Sequence, residues 1–285
     1  MPIASQFGFG LALASDLAVP GAINRAAVAD APVVRITLAP AVAQTADPLF
    51  ELDGETIVYR NPAGTFRCSP DRIEISPADP PDLADLGTLL VANALPAVLW
   101  QSGYFMLHAA CVRLADGLTL AIAGHSGSGK SRLAASLVAA GAELVGDDSL
   151  ALAAIDGSVT AAGLPGGWFV RTLGSAERAF QHVPPGSSAG NARLDVLAVL
   201  GPDEPATDRC TPLAALELLM QHRHRPQVPL LLSRQGRVLS DAVRIVRDLP
   251  VIRFPACDGP DADVQAIQTV LVRLAEKMRC DRQPQ

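Results

Sequence analysis

Eight consecutive residues near the middle of the chain combine the residue types that bind phosphate groups. Residues 124–131 read Gly-His-Ser-Gly-Ser-Gly-Lys-Ser, which matches the phosphate-binding loop pattern G-x-x-x-x-G-K-[ST] in full. Glycines let backbone N–H groups approach a phosphate chain, Lys130 can reach its outer phosphates, and the Ser131 hydroxyl can bind Mg²⁺. Only two of the 23 Lys and Arg residues are lysines, and one of them stands at this position. The pattern predicts a nucleotide site, with a Gly/Ser-rich turn as the alternative.

The flanking sequence supplies the strand and the helix between which such a loop must lie. Residues 118–123 form a short apolar run of strand length. Residues 131–140 carry apolar side chains at helical spacing, and Gly141 is a suitable helix end. Residues 143–146 read as the next strand. The helix would direct its positive end at the bound phosphates.

Two adjacent carboxylates, Asp147 and Asp148, follow that next strand. In a strand–helix–strand unit both strands end at the same edge of the sheet, so these side chains should lie beside the phosphates. One carboxylate can hold Mg²⁺, and the other can orient or deprotonate an attacking hydroxyl. A solvated Asp-Asp turn is the alternative interpretation.

A histidine is expected at the mouth of the loop. The segment 104–114, the Asp-Gly turn at 116–117 and the strand 118–123 predict a hairpin. Its register places His108 opposite Gly124 or His125, although a half-buried histidine bonded to the backbone has the same sequence signature. We interpret His125, at a variable loop position, as incidental.

These three elements resemble a known family. Residues 107–112, 124–131 and 146–148 are similar, in order and spacing, to the HPr serine kinase/phosphorylase family, and more closely to HPr-kinase-related proteins that include kinases encoded with lasso-peptide biosynthesis. A weaker likeness includes residues 248–254. The resemblance implies an α/β fold with a phosphoenolpyruvate-carboxykinase-like P-loop kinase core, and ATP and Mg²⁺ as cofactors. It implies transfer of the γ-phosphoryl group to a serine of a peptide or small protein, such as a lasso-peptide precursor.

The resemblance also assigns residues by position. It implies a catalytic role for His108, Asp147 and Asp148, and it places Ser131 and Asp148 at the metal. The implied nucleotide-binding residues are Gly124, Ser126, Gly127, Ser128, Gly129, Lys130, Ser131 and Arg132. Arg132 stands where HPr kinases usually have Glu, and the family's later Ile-Arg-Gly-x-Gly segment has no clear copy. We therefore expect the reaction to run one way, and a homo-oligomer is compatible with the resemblance.

Composition narrows the class of protein. The chain has 285 residues, of which 49% are hydrophobic and 18% charged, which is ample for a core. A net charge of −6 argues against a nucleic-acid or anionic-membrane partner. Five scattered cysteines without a C-x-x-C pair indicate a cytoplasmic protein, and no uninterrupted apolar stretch reaches the ~18 residues typical of a membrane span.

The pattern predicts two domains. Residues 1–80 contain short strands at 33–38, 55–60 and 72–76 and read as a small β-rich N-terminal domain. Residues 81–285 form the P-loop catalytic domain, which begins with a helix over 82–101. The basic cluster 222–225 follows a predicted helix, where it can interact favourably with the helix dipole or bind an acidic peptide.

Two other functions fit the same motifs. A small-molecule P-loop kinase would use the loop and one carboxylate in the same way, and a nucleotide-binding regulatory protein would use the loop without catalysis. The chain has neither the Asn-Lys-x-Asp element of GTPases nor the Leu-Ser-Gly-Gly-Gln element of ABC transporters, which argues against both classes.

Overall fold

The computed structural model describes residues 6–24, 31–43, 48–171, 178–201, 209–256, 269–273 and 277. Within them the chain folds as a mixed α/β protein with several sheets.

The N-terminal part of the chain forms one sheet of eight strands, in the order β3-β1-β2-β4-β8-β7-β6-β5. The predicted strand at 33–38 is present, and those at 55–60 and 72–76 are present with ends shifted by one residue. The strands are β1 (Gln6–Gly8), β2 (Leu11–Ser15), β3 (Ile23–Asn24), β4 (Val33–Leu38), β5 (Leu49–Asp53), β6 (Thr56–Asn61), β7 (Gly64–Ser69) and β8 (Arg72–Pro77).

A long apolar helix follows this sheet. It comprises α1 (Leu83–Leu89), a π-helical turn (Leu90–Ala94) and α2 (Leu95–Gln101). Asp82 caps it, because its Oδ1 accepts hydrogen bonds from the backbone N–H groups of Ala84 and Asp85. The 19 residues have the length and hydropathy of a membrane span, with a mean hydropathy of 1.5 over 18 residues, but 67% of that window is buried inside the protein. Such burial is typical of a core helix.

A five-stranded sheet, in the order β12-β10-β11-β18-β19, carries the phosphate-binding loop. β10 is antiparallel to both β11 and β12, so these two strands run in the same direction and end at the same edge, as predicted, although they are not neighbours. The helix α3 (Lys130–Ala139) follows β11. The strands are β10 (Ala109–Arg113), β11 (Thr119–Gly124), β12 (Glu143–Gly146), β18 (Val196–Gly201) and β19 (Val251–Pro255).

A four-stranded sheet, in the order β17-β14-β13-β9, and a separate hairpin of β15 and β16 lie beside it. The helices α4, α5 and α6 lie between β18 and β19 in the chain. The elements are β9 (Phe105–Leu107), β13 (Leu150–Ile155), β14 (Ser158–Ala162), β15 (Gly167–Arg171), β16 (Arg178–His182), β17 (Ala192–Leu194), α4 (Pro212–Gln221), α5 (Gln227–Leu231) and α6 (Gln235–Asp248).

The five-stranded sheet is buried on both faces. Along β10 and β11, Ala109 and Ala121 face a large core shared with the N-terminal sheet and the long helix. Val112 and Ile122 face a second core, together with Leu133 of α3. Because side chains alternate between the faces of a strand, residues 118–123 read as a continuous apolar run. The first core joins both predicted domains, and their division near residue 80 stays a prediction.

Candidate active site at the junction of two sheets

The phosphate-binding loop leaves β11 through glycines whose backbone requires the absence of a side chain. Gly124 has a φ of 151°, and a Cβ atom there would lie 2.6 Å from Ser128 Oγ and 2.9 Å from the Leu200 carbonyl oxygen. Gly127 and Gly129 have φ of 89° and 91°, in the left-handed region that favours glycine. Gly129 is the N-cap of α3 and contributes no side-chain cap, so the first N–H groups of that helix can meet an anion.

Lys130 lies across the loop as its motif requires. Its Nζ donates hydrogen bonds of 3.0 Å to the carbonyl oxygens of Gly124 and His125, and the residue is 6% exposed. Burial lowers the pKa of the Lys130 ammonium, while the carboxylates of Asp148 and Asp147 oppose that shift. The ammonium is therefore held against the first two residues of the loop.

Two segments of the chain pass from one sheet to the other beside this loop. β9 belongs to the four-stranded sheet and β10 to the five-stranded sheet, and His108 is the single residue between them. Residues 147–149 make the same change of sheet between β12 and β13. The crossings lie side by side, and His108 Nε2 is 3.2 Å from Asp148 Oδ1. Ala109 pairs with Ala123, which leaves His108 level with Gly124, as the hairpin register predicts.

The two aspartates point to different partners. Ser131 Oγ donates a hydrogen bond of 2.9 Å to Asp147 Oδ1, whereas Asp148 contacts His108. The sequence-based assignment placed Ser131 and Asp148 at the metal; the contacts instead bring Ser131 together with Asp147. Burial, followed by the neighbouring charge of Asp148, raises the pKa of Asp147 to about 6.

A tight turn separates the two carboxylates. Asp148 has a φ of 67°, and the Ser149 backbone N–H donates a 2.8 Å hydrogen bond to the Asp147 carbonyl oxygen across it. Aspartate tolerates the left-handed region better than most residues, but the conformation is still strained, and such strain is concentrated at functional sites. The turn allows consecutive side chains in one cavity to contact different partners.

The predicted residues converge on one cavity of about 580 Å³. Gly124 and Ser128 form the loop without lining this cavity, and Phe169 of β15 lines it although the sequence analysis did not select it. The lining residues are His108, Ser126, Gly127, Gly129, Lys130, Ser131, Arg132, Asp147, Asp148 and Phe169. Within the described ranges no three His, Cys, Asp or Glu side chains are grouped as a metal site.

The basic cluster 222–225 directly follows α4, as predicted: His222 is the C-cap, and Arg223 Nε donates a 2.7 Å hydrogen bond to the Met220 carbonyl oxygen in the last turn of the helix. His222 and His224 are only 6% and 5% exposed, so they do not form a surface for an acidic peptide. The His222 ring packs edge-to-face on that of His125, with centroids 5.1 Å apart. His125, interpreted as incidental, therefore joins the loop to this segment. The His-x-His spacing, which places two imidazoles on one face of an extended segment, was the available signal.

Comparisons with known proteins find similarity among solved structures. No protein-family model matches the sequence, and no curated protein matches it. Among solved structures, the chain is similar to the HPr(Ser) kinase/phosphatase from Coxiella burnetii, with a TM-score of 0.38 and 18% sequence identity over 61% of this chain and 97% of that chain. That protein belongs to the family that the three motifs resemble. The functional proposals below depend on the geometry of the site.

Proposed function

We propose that this protein is an ATP- and Mg²⁺-dependent serine kinase with a phosphoenolpyruvate-carboxykinase-like P-loop core. The observation that carries the proposal is the separation of the two aspartates. Asp147 meets the loop hydroxyl of Ser131 at 2.9 Å, while Asp148 meets the imidazole of His108 at 3.2 Å. A kinase needs one carboxylate on the nucleotide side and one on the acceptor side of the transferred phosphoryl group.

The nucleotide side of the site, around Ser131 and Asp147, is suited to a metal-bound triphosphate. Gly127, Gly129 and Lys130 can surround the β- and γ-phosphates, because all three line a cavity of about 580 Å³. Ser131 Oγ and Asp147 Oδ1 can both reach one Mg²⁺, which in proteins takes one or two carboxylates and completes its shell with phosphate oxygens and water. When bound, Mg²⁺ would neutralise charge that develops on the phosphoryl oxygens.

On the acceptor side of the site, Asp148 is the proposed general base. Asp148 accepts the proton of the serine hydroxyl, whose oxygen then attacks the γ-phosphorus. The new oxygen–phosphorus bond forms as the bond from the γ-phosphorus to the β,γ-bridging oxygen breaks, and ADP leaves with that oxygen. His108 holds the Asp148 carboxylate in place through the 3.2 Å contact. Lys130 stabilises the negative charge on the outer phosphates throughout.

The acceptor is a serine on a flexible peptide or peptide tail, such as a ribosomally made lasso-peptide precursor. A hydroxyl must come in line with the γ-phosphate at about 3–3.5 Å, which an exposed chain can do and a serine buried in a folded domain cannot. The proposal includes the two-domain division at residue 80 and a cytoplasmic location. It adds no nucleic-acid or membrane partner and is compatible with a homo-oligomer.

Phosphate transfer tests this function. The protein is incubated with Mg²⁺, γ-labelled ATP and peptides that carry one serine, with the same peptides carrying alanine as controls, and the products are identified by mass spectrometry. Phosphate on the peptide serine, lost with Asp148→Asn while ATP still binds, is the expected result. Transfer only to sugars or nucleosides would favour a small-molecule kinase. Tight binding of Mg²⁺ and ATP without any transfer would favour a regulatory protein.

A further inference from the structure

The segment 222–224 forms a single antiparallel β-bridge beside His108. The His108 backbone N–H donates a 2.8 Å hydrogen bond to the His222 carbonyl oxygen, and the His224 N–H donates a 2.9 Å bond to the Met106 carbonyl oxygen. Leu107 and Arg223 form the antiparallel bridge between these two bonds. The backbone at the end of β9 and at the crossing residue His108 is therefore held by residues 222–224.

The side chain of His224 makes a second set of contacts at the same place. Its Nε2 lies 3.1 Å from the Ala92 carbonyl oxygen and 3.3 Å from Ser149 Oγ. A carbonyl oxygen only accepts, so Nε2 must carry the hydrogen. Ala92 lies in the π-helical turn, and its oxygen also accepts a 2.8 Å hydrogen bond from Arg225 Nε. π-Helical turns interrupt the regular bonding of a helix and often occur at functional sites.

The imidazole of His224 also packs against that of His108. The two rings are edge-to-face, with centroids 5.6 Å apart and planes inclined at 75°. His224 thus contacts the ring that faces Asp148 and the residue that follows Asp148, yet it does not line the cleft. It can reach the chemistry only through His108 and Ser149.

We propose that His224 is a positioning residue that fixes the orientation of His108 towards Asp148. This inference rests on the proposed kinase function, since it assigns the geometry that transfer requires. A reacting group must be held within about 0.5 Å of its productive position, which requires packing and hydrogen bonds from neighbouring residues that do not themselves touch the substrate.

The charge state of His224 agrees with this role. Burial lowers the pKa of His224 to about 4; Asp148 acts against that shift, and Arg225 and His108 add to it. The ring is therefore neutral near pH 7, with one hydrogen on Nε2 for Ala92. A neutral ring places no positive charge beside the imidazole of His108.

Two conservative variants separate positioning from packing. In His224→Gln the amide nitrogen can occupy the place of Nε2 and donate to Ala92, whereas the shorter side chain of His224→Asn cannot reach it. We expect His224→Asn to lower kcat by about tenfold or more with an unchanged KM for ATP, and to shift the acidic limb of the pH–rate profile. His224→Gln should stay close to the wild type. The exposed His182 gives the control His182→Gln, which should change none of these quantities.

The same pair of variants can be tested without turnover. Nuclear magnetic resonance of the nucleotide-free protein should show the through-space contacts between the His108 ring and Asp148 weakened in His224→Asn and retained in His224→Gln. In the wild type, nitrogen shifts should show His224 neutral with its hydrogen on Nε2. Equal behaviour of the Asn and Gln variants, or a His224 charged or protonated on Nδ1 at pH 7, would overturn the proposal. The expected ring contacts with no kinase activity would instead refute the proposed function alone.

Discussion

Replacing Asp147 by asparagine should make the nucleotide-free protein more stable while it abolishes activity. The pKa of Asp147 is raised from 3.8 to about 6, chiefly by burial, so the ionised carboxylate is costly in the folded state. Asparagine keeps the shape and can still accept the hydrogen bond from Ser131 Oγ, but it carries no charge. A residue placed mainly for folding would behave in the opposite way.

The size of the effect follows from that shift. A pKa shift of about two units, at about 1.36 kcal/mol for each unit, gives an upper limit of ~3 kcal/mol for the free-energy cost of the charge in the folded state. Asp147 is only half-buried as a residue, so solvent at the cleft screens part of this, and we expect about 1–2 kcal/mol. For a chain of this size that raises the melting temperature by about 2–6 °C.

The pH dependence of the difference has a definite sign. Between pH 3.8 and about 6 the folded state keeps a proton on Asp147 that the unfolded chain has lost, so wild-type stability falls as pH rises through this window. Asparagine has no such proton. The difference in melting temperature, variant minus wild type, should therefore be near zero at pH 4 and reach its full value above pH 6.

Thermal melts between pH 4.5 and 8, with and without Mg²⁺ and ATP, measure both parts of the prediction. Asp71→Asn, in the exposed turn between β7 and β8, is the control for loss of one carboxylate charge. Mg²⁺ with ATP should stabilise the wild type more than Asp147→Asn, because a ligand that binds the folded state raises its stability. A variant that melts below the wild type at pH 7.5, or a difference independent of pH, would refute the reasoning.

Three further outcomes are expected. Lys130→Ala should weaken ATP binding by about 1.5–3 kcal/mol in calorimetry, whereas the same change at the chain's other lysine, the exposed Lys277, should not; equal affinities would contradict the loop assignment. Asp148→Asn should lower kcat by about 10²-fold or more and leave ATP affinity unchanged, and a normal rate would remove Asp148 from the mechanism. Gly124→Ala should lower the melting temperature and ATP affinity, because its Cβ would lie 2.6 Å from Ser128 Oγ, while Gly117→Ala, with φ of 88° but no atom within 4 Å, isolates the backbone strain in the same measurements.

The parts of the site that the sequence predicts are those built from neighbouring segments. The strand before the loop, the helix after it and the strand that precedes Asp147 are present, and the helix begins at Lys130, one residue from its predicted start. The place of His108 followed from the Asp-Gly turn, where Gly117 has a φ of 88° and the Asp116 carboxylate accepts a hydrogen bond from the Leu118 N–H. Each of these features depends on residues close together in the chain.

Features that depend on residues far apart in the chain could not be predicted from the sequence. The N-terminal sheet includes parallel pairs such as β2 with β4 and β4 with β8, which no local pattern specifies. The contact of His224 with Ala92 joins residues 132 positions apart. The different partners of Asp147 and Asp148 depend on the left-handed φ of Asp148, which a pair of identical side chains does not reveal.

Because the site lies between two sheets, the His108–Asp148 pair can lose its geometry while the phosphate-binding loop keeps its own. The phosphate-binding loop depends on β11 and α3, whereas the pairing of His108 with Asp148 exists only while the four-stranded sheet holds β9 and β13 in register. Substitutions that loosen β14, which pairs with β13, would therefore impair the proposed transfer more than nucleotide binding. A few such changes during evolution would convert the proposed kinase into a protein that binds ATP through an intact loop without transferring phosphate.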